Sequence, residues 1–188
     1  MIDVENILIG MPQIINLSSI LSVIVTGNIE LSYFLIYNLT LGNGLNALIK
    51  YILQKTQILP KKIGQRPSGC GGKKIGGLCR GCGIDAKYEN KVGSITYGFP
   101  SGHSQGTALG AAFWTLYIIN SNKKLHAGHY VSIILLWVIT IAVMKQRMDC
   151  KCHNIYQVTT GMILGLVLGI GGYYLCHKLA PNTYPLKK

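Results

Sequence analysis

Long stretches without a charged residue constrain this chain more than any other feature of its sequence. Five occur, at residues 6–28, 31–49, 92–122, 125–144 and 153–177. Each is close to the ~20 residues that an α-helix needs to cross the hydrocarbon core of a bilayer. Only 13% of the 188 residues are charged, against roughly 25% in an ordinary soluble domain. The sequence therefore predicts an all-α, polytopic membrane helix bundle of about five transmembrane helices.

The positive charge of the chain is concentrated in one long polar loop between the second and third runs. The formal net charge is +12, and residues 55–103 contain nine lysines and arginines but only two acidic residues. A basic loop between membrane helices binds lipid headgroups or phosphates, or fixes topology. We therefore expect membrane lipids as partners. Nucleic acid is not expected as a partner. A nucleic-acid-binding module would have to be soluble without detergent, and the five runs without charge argue against that.

The order of the runs places three polar clusters on one membrane face. The second run ends, the third begins, the fourth ends and the fifth begins on that face. The clusters are GQRPSG at 64–69, PSGHSQ at 100–105 and KQRMDCKCHNIYQV at 145–158. We expect their side chains to converge.

These clusters carry the residue types of a phosphoryl-transfer site. His103 and His153 can act as nucleophile or as general acid and base near neutral pH. Arg66 and Arg147 can hold phosphate oxygens through paired hydrogen bonds. Ser101 precedes a predicted helix whose N-terminal N–H groups and dipole favour an anion. Such a set needs no metal and no cofactor.

The motifs also resemble those of the type 2 phosphatidic acid phosphatase (PAP2) superfamily, which includes lipid phosphatases and vanadium haloperoxidases. That family has a Lys followed by Arg-Pro, then Pro-Ser-Gly-His, then Arg-x5-His-x3-Asp. The matching residues are Arg66-Pro67, Pro100-Ser101-Gly102-His103, and Arg147 with His153. The resemblance implies a single PAP2-like transmembrane phosphatase domain over residues 1–188, with a motif-bearing core at about 46–176.

The resemblance also implies roles for the motif residues. His153 would attack phosphorus and form a phosphohistidine. His103 would protonate the leaving oxygen and then activate water. The remaining motif residues would bind the phosphate oxygens: Arg66, Ser101, Gly102 and Arg147.

Two positions depart from the family pattern. Gln157 stands where the family has the aspartate that orients the nucleophilic histidine, and here HNIYQV is similar to the dolichyl diphosphatase-like branch. A glutamine carbonyl can accept the N–H of His153, but it cannot offset an imidazolium charge. The lysine that precedes Arg-Pro in the family's first motif, the motif-one lysine, does not stand at its usual spacing here. Lys50 is the first choice for this phosphate ligand, with Lys62 and Lys55 as substitutes.

The function implied is hydrolysis of a lipid phosphate or polyprenyl diphosphate by a multi-pass integral membrane enzyme, with the endoplasmic reticulum as one location. The alternative is a catalytically weakened relative that binds lipid phosphates or acts as a scaffold. The basic loop favours a cytoplasmic active-site face, whereas family relatives often work on the lumenal or outer face.

Five cysteines are expected on the active-site face: Cys70, Cys79, Cys82, Cys150 and Cys152. The Cys79-x2-Cys82 spacing is compatible with a metal site. Disulfides, zinc ligation and free thiols are all compatible with the sequence.

Overall fold

A computed structural model describes residues 4–67 and 97–180, and within these ranges the regular elements are all helical. In chain order they are α1 (Val4–Thr26), α2 (Ile29–Tyr37), a π-helical turn (Asn38–Gly42), α3 (Asn43–Thr56), the short α4 (Lys61–Gly64), α5 (Gly102–Ser121), α6 (Ala127–Asp149) and α7 (Ile155–Leu179). The all-α class predicted from the sequence is confirmed for this part of the chain.

Helices occur at all five positions where the charge-free runs predicted them. Two of these helices, α6 and α7, are long and apolar enough to cross a membrane, and α1 contains a shorter apolar segment at Met11–Val25. The second predicted span consists of α2, the π-helical turn and α3, which follow one another without a break. Five membrane crossings therefore stay a prediction.

Helix α5 carries polar residues near its start, and these side chains face other helices. Ser104, Gln105 and Thr107, in its first two turns, are almost completely buried. Side chains enclosed by protein do not meet lipid, so a central helix can carry polar groups that a peripheral membrane helix cannot.

Three glycines spaced four residues apart bring α7 into backbone contact with α5. A Cβ atom on Gly161 would clash with the backbone carbonyl of Ser101, and one on Gly165 with that of Gln105. On Gly169 it would lie 2.5 Å from the carbonyl oxygen of Leu109. Small residues at this spacing let two helix backbones approach closely. This packing fixes the start of α5 beside the start of α7.

An apolar cluster packs α2 against both α5 and α7. Phe34 of α2 and Phe113 of α5 are both fully buried, and their ring centroids are 3.5 Å apart. Tyr173 of α7 meets Phe113 edge to face at 5.9 Å between centroids. The α2–α3 segment thus has a fixed orientation relative to the starts of α5 and α7.

A short pairing brings the chain after α4 to the chain before α5. Gln65 and Tyr97 form an isolated antiparallel bridge, and Gly98 N–H donates to Gly64 C=O at 2.8 Å. Gly64 has no room for a side chain because the buried ring of Tyr97 contacts it. Arg66 is therefore held close to the segment that leads into α5.

Candidate active site

The N-terminus of α5 is capped by a buried serine. Ser101 has an extended backbone, and its Oγ accepts hydrogen bonds from the backbone N–H and the hydroxyl of Ser104, at 3.4 and 3.1 Å. The hydroxyl proton of Ser101 can still be donated to another group. The positive end of the helix dipole and the first N–H groups of α5 lie here, which favours an anion.

Lys50 of α3 lies beside the first residue of α5. A Cβ atom added to Gly102 would lie 3.7 Å from Lys50 Nζ and 3.2 Å from Asn46 Oδ1. Asn46, one turn earlier on α3, donates to Gln105 Oε1 at 2.6 Å and to Pro100 C=O at 3.4 Å. Gln105 in turn donates to the Gly42 carbonyl. These amide bonds fix α3, and with it the lysine ammonium, against the N-terminus of α5.

In the turn between α6 and α7, backbone hydrogen bonds to one carbonyl connect Arg147 with His153. The Arg147 carbonyl accepts the N–H groups of Cys152 and His153, at 3.0 and 3.2 Å. The Arg147 side chain is completely buried, and its Nε donates to Gln146 Oε1 at 2.6 Å. The five-residue interval between arginine and histidine is thus the length of this hydrogen-bonded turn.

Gln157 connects all three polar clusters. Its Oε1 lies 3.0 Å from His153 Nδ1 and accepts the Asn154 N–H at 3.3 Å. Its Nε2 donates to the carbonyls of Ile63 and Gln65, at 2.9 and 2.7 Å, directly before Arg66. Its own carbonyl accepts the Ser101 N–H at 3.0 Å. The buried glutamine therefore holds the three clusters together.

These backbone contacts fix which ring nitrogen of His153 carries the proton. Carbonyl oxygens only accept hydrogen bonds, so the NH₂ group of Gln157 must face residues 63–65 and its oxygen must face His153. An oxygen at that place requires a donor, which assigns the proton to Nδ1. In the neutral ring Nε2 then keeps its lone pair.

The electrostatic environment of His153 favours the neutral imidazole. Its side chain is only 4% exposed, and its pKa lies well below the ordinary value of 6.5. Burial is the largest cause, followed by the positive charges of Arg66 and Lys50, with a smaller contribution from His103. The hydrogen bond with Gln157 acts in the opposite direction.

Arg66 lies between the turn and the segment before α5. Its Nη1 donates to the Cys152 carbonyl at 3.3 Å. A Cβ atom on Gly98 would lie 2.9 Å from Arg66 Cγ and 2.5 Å from Gln157 Oε1. A glycine at position 98 is therefore what allows the arginine and the glutamine to lie side by side.

The structure brings the eight sequence-predicted site residues into one region at the starts of α5 and α7. They are Lys50, Arg66, Ser101, Gly102, His103, Arg147, His153 and Gln157. Of the substitute lysines, Lys55 is exposed, with Nζ 5.8 Å from the ring centroid of Tyr51, and the Lys62 side chain is also exposed. Asp149 forms a surface ion pair with Lys145 at 2.9 Å.

The five cysteines expected on the active-site face fall into two sets. Cys150 and Cys152 are both disulfide-bonded, which is the first of the three alternatives that the sequence left open. Cys70, Cys79 and Cys82 lie outside the described residues. Within residues 4–67 and 97–180, no group of three or more histidines, cysteines or acidic residues is arranged as a metal site.

Sequence reasoning missed three supporting features. They are the Asn46–Gln105 amide pair, the Gln157 contacts with backbone carbonyls, and the glycine stripe of α7. Only the stripe left a signal in the sequence, in the spacing of Gly161, Gly165 and Gly169.

Comparison with known proteins confirms the family that the sequence resembles. Residues 32–181 match the sequence model of the PAP2 superfamily. A dihydrosphingosine 1-phosphate phosphatase of Schizosaccharomyces pombe is 32% identical over 90 residues. That alignment covers 46% of this chain and 20% of the relative, so the chain spans about a fifth of the relative's length. No solved structure matches the chain at a significant level.

Proposed function

This chain belongs to the PAP2 superfamily, and on that premise we propose that it is a membrane-embedded phosphatase that hydrolyses a lipid phosphate or a polyprenyl diphosphate. The chain forms one PAP2-like domain over residues 1–188, with its motif-bearing core at about 46–176. It is a multi-pass membrane protein with about five spans. The apolar lengths of α6 and α7 and the exposed apolar side chains of α1 and α6 support this placement.

His153 is the nucleophile. Its Nε2 attacks phosphorus, the P–N bond forms and the P–O bond to the lipid breaks, which leaves a phosphohistidine. The observation that carries this proposal is the hydrogen bond between His153 Nδ1 and Gln157 Oε1, because it directs the free lone pair to Nε2. The low pKa of His153 supplies that lone pair at neutral pH.

His103 is the general acid and base. It gives its proton to the departing lipid oxygen in the first step. In the second step it takes a proton from water, whose oxygen attacks phosphorus while the P–N bond breaks. Inorganic phosphate leaves, and both histidines return to their starting states. The smaller effect of the His103 charge on the pKa of His153 supports a shared site.

The remaining residues bind the phosphate oxygens, where negative charge accumulates in the transition state. Lys50 and the Gly102 N–H contribute from the α3–α5 contact, and Arg66 and Arg147 from the His153 side. Ser101 contributes its hydroxyl proton. Lys50, rather than Lys55 or Lys62, is the motif-one lysine because it is the one that adjoins Gly102 and affects His153.

The substrate class is a phosphate ester or diphosphate on a lipid chain. The relative in Schizosaccharomyces pombe is named for dihydrosphingosine 1-phosphate, and HNIYQV is similar to the dolichyl diphosphatase-like branch. Dihydrosphingosine 1-phosphate, phosphatidate and short polyprenyl diphosphates are therefore the first substrates to test.

The test is release of inorganic phosphate by the purified protein in detergent, with a chelator present and orthovanadate as inhibitor. Orthovanadate mimics the transferring phosphoryl group. We expect turnover of at least one of these lipids, inhibited by vanadate. Binding of the lipids without phosphate release would instead identify a lipid-phosphate binder or scaffold, the alternative that Gln157 suggested.

A further inference from the structure

The turn that carries His153 contains two disulfide-bonded cysteines. Cys150 and Cys152 are both buried, at 8% and 0% exposure, and both sulfur atoms are in disulfides. Lys151 between them is exposed and adopts a left-handed backbone conformation, with φ of 53°. Such a conformation is uncommon for a residue other than glycine. A tight turn of this kind keeps its shape only when neighbouring groups hold it.

The backbone of Cys152 contacts both arginines of the site. Its N–H donates to the Arg147 carbonyl at 3.0 Å, and its carbonyl accepts Arg66 Nη1 at 3.3 Å. The next residue, His153, donates to the same Arg147 carbonyl. A displacement of Cys152 would therefore move Arg66 away from His153 and loosen the histidine itself.

We propose that Cys152 is a positioning residue and that its disulfide holds Arg66 beside His153, so that only the oxidised protein reaches full activity. This inference rests on the proposed function of the site. Reduction by a dithiol converts each disulfide into two thiols, with two electrons and two protons from the reductant, which closes to its own cyclic disulfide. Freed from its crosslink, the turn relaxes around Lys151 and the Arg66–Cys152 contact is lost.

A turn that depends on disulfides works best in an oxidising compartment, since the cytosol keeps thiols reduced. The cysteine at the far end of α7 offers a matched control. Cys176 is a buried free thiol, in the last turns of the helix whose start follows His153.

The experiment compares oxidised protein, protein reduced with dithiothreitol and reoxidised protein, all full-length in detergent. Disulfide state is checked by mass spectrometry of alkylated peptides. The variants are Cys152→Ser and Cys150→Ser, with Cys176→Ser as the control. We expect reduction and Cys152→Ser to lower kcat by about 10²-fold, the cost of misplacing a reacting group by about 1 Å, and reoxidation to restore it. Cys176→Ser should stay at the wild-type value.

A second readout, taken on protein whose circular dichroism matches that of the oxidised form, separates positioning from simple loss of folded protein. The charges that act on His153 come from Arg66, Lys50 and His103, and the hydrogen bond that His153 donates to Gln157 opposes their effect on its pKa. When Arg66 moves away, the pKa of His153 should rise toward its ordinary value. NMR of labelled histidine, with the His153 signal assigned through His153→Gln, follows this titration without any need for turnover.

Each outcome decides one of the two claims. If oxidised protein releases no phosphate from any lipid but reduction still raises the pKa of His153, the proposed function fails and the positioning role stands. If fully reduced protein keeps the kcat and the His153 titration of the oxidised form, the positioning role is wrong whatever the substrate. A fall in active protein with an unchanged His153 titration also overturns it, because that pattern reflects unfolding alone.

Discussion

Nδ1 of His153 lies 3.0 Å from Oε1 of Gln157, and the amide nitrogen of the same glutamine donates to the backbone carbonyls that precede Arg66. An aspartate at position 157 could accept from the histidine but could donate to none of these carbonyls, and it is one methylene shorter. The glutamine is therefore the residue that fits this loop. It does not need to be interpreted as a weakened aspartate.

Gln157→Glu should impair the site although it keeps the size of the side chain. The carboxylate loses the bonds to the carbonyls of Ile63 and Gln65 and places a charge against them, which costs about 1–3 kcal/mol for a buried polar group left without its partner. The same charge raises the pKa of His153. Thermal unfolding and the pH profile of phosphate release measure the two effects. The exposed Gln57 provides a control in Gln57→Glu, and equal behaviour of the two variants would contradict the assigned role.

His153→Ala should abolish phosphate release. It removes the atom to which phosphorus is transferred, and no other histidine of the described residues shares the contact with Gln157. Brief incubation of wild-type protein with radiolabelled lipid phosphate, followed by quenching in alkali, should trap a labelled phosphohistidine that the variant lacks. His126→Ala at the exposed start of α6 is the control. Turnover by His153→Ala near the wild-type rate would exclude this mechanism.

The sequence predicted the helices because long apolar runs without charge are directly visible in the chain. Within residues 4–67 and 97–180, the runs without charge predicted the positions of the long helices, and the spacing of Arg147 and His153 predicted the turn between α6 and α7. The glutamine contacts left no such record, because Ile63 and Gln65 take part through backbone carbonyls, which any side chain permits.

The motif-one lysine shows where a linear pattern stops being informative. Successive residues of a helix are rotated by about 100°, so Lys50 and Lys55 face directions about 140° apart on α3. Which of these faces meets α5 depends on how α3 is rotated about its axis. That rotation is set by the packing of Phe34 and by the hydrogen bond between Asn46 and Gln105. Neither contact can be derived from the motif.

The pH dependence of activity should follow the low pKa of His153. The neutral ring is the reactive form, and a pKa well below 6.5 keeps it neutral until the pH falls below that value. The acidic limb of kcat/KM should therefore lie below pH 6.5. The stability of the folded protein should also decrease on the acidic side. The unfolded chain takes up the proton at higher pH than the folded one, so the contribution of His153 to stability decreases as the pH falls below about 6.5. An acidic limb above pH 6.5 would contradict the assignment of the neutral ring.

Substitution of the three candidate lysines, one at a time, should show which of them binds the phosphate. Lys50→Met should lower kcat/KM by about 10²–10³-fold, the effect of losing one transition-state donor. It should also move the acidic limb toward pH 6.5, because one of the charges that depress the pKa of His153 is gone. Lys55→Met and Lys62→Met change exposed side chains and should keep both properties. Loss of activity in either of these two with an active Lys50→Met would assign the role to another lysine.

The backbone contact between α5 and α7 makes the site sensitive to a single methyl group far from its chemistry. Gly165→Ala places a Cβ against the carbonyl of Gln105 and 2.9 Å from the Cβ of Ala108, and overpacking of this kind costs about 1–3 kcal/mol. Because Gln105 also bonds Asn46, the shift should reach the Lys50 side of the site. Melting temperature and kcat in detergent should both fall. Gly44→Ala on α3, where a Cβ meets nothing within 4 Å, is the matched control and should raise stability by about 0.4–1 kcal/mol. If Gly165→Ala were as stable as this control, the two helices would have to lie further apart than they do here.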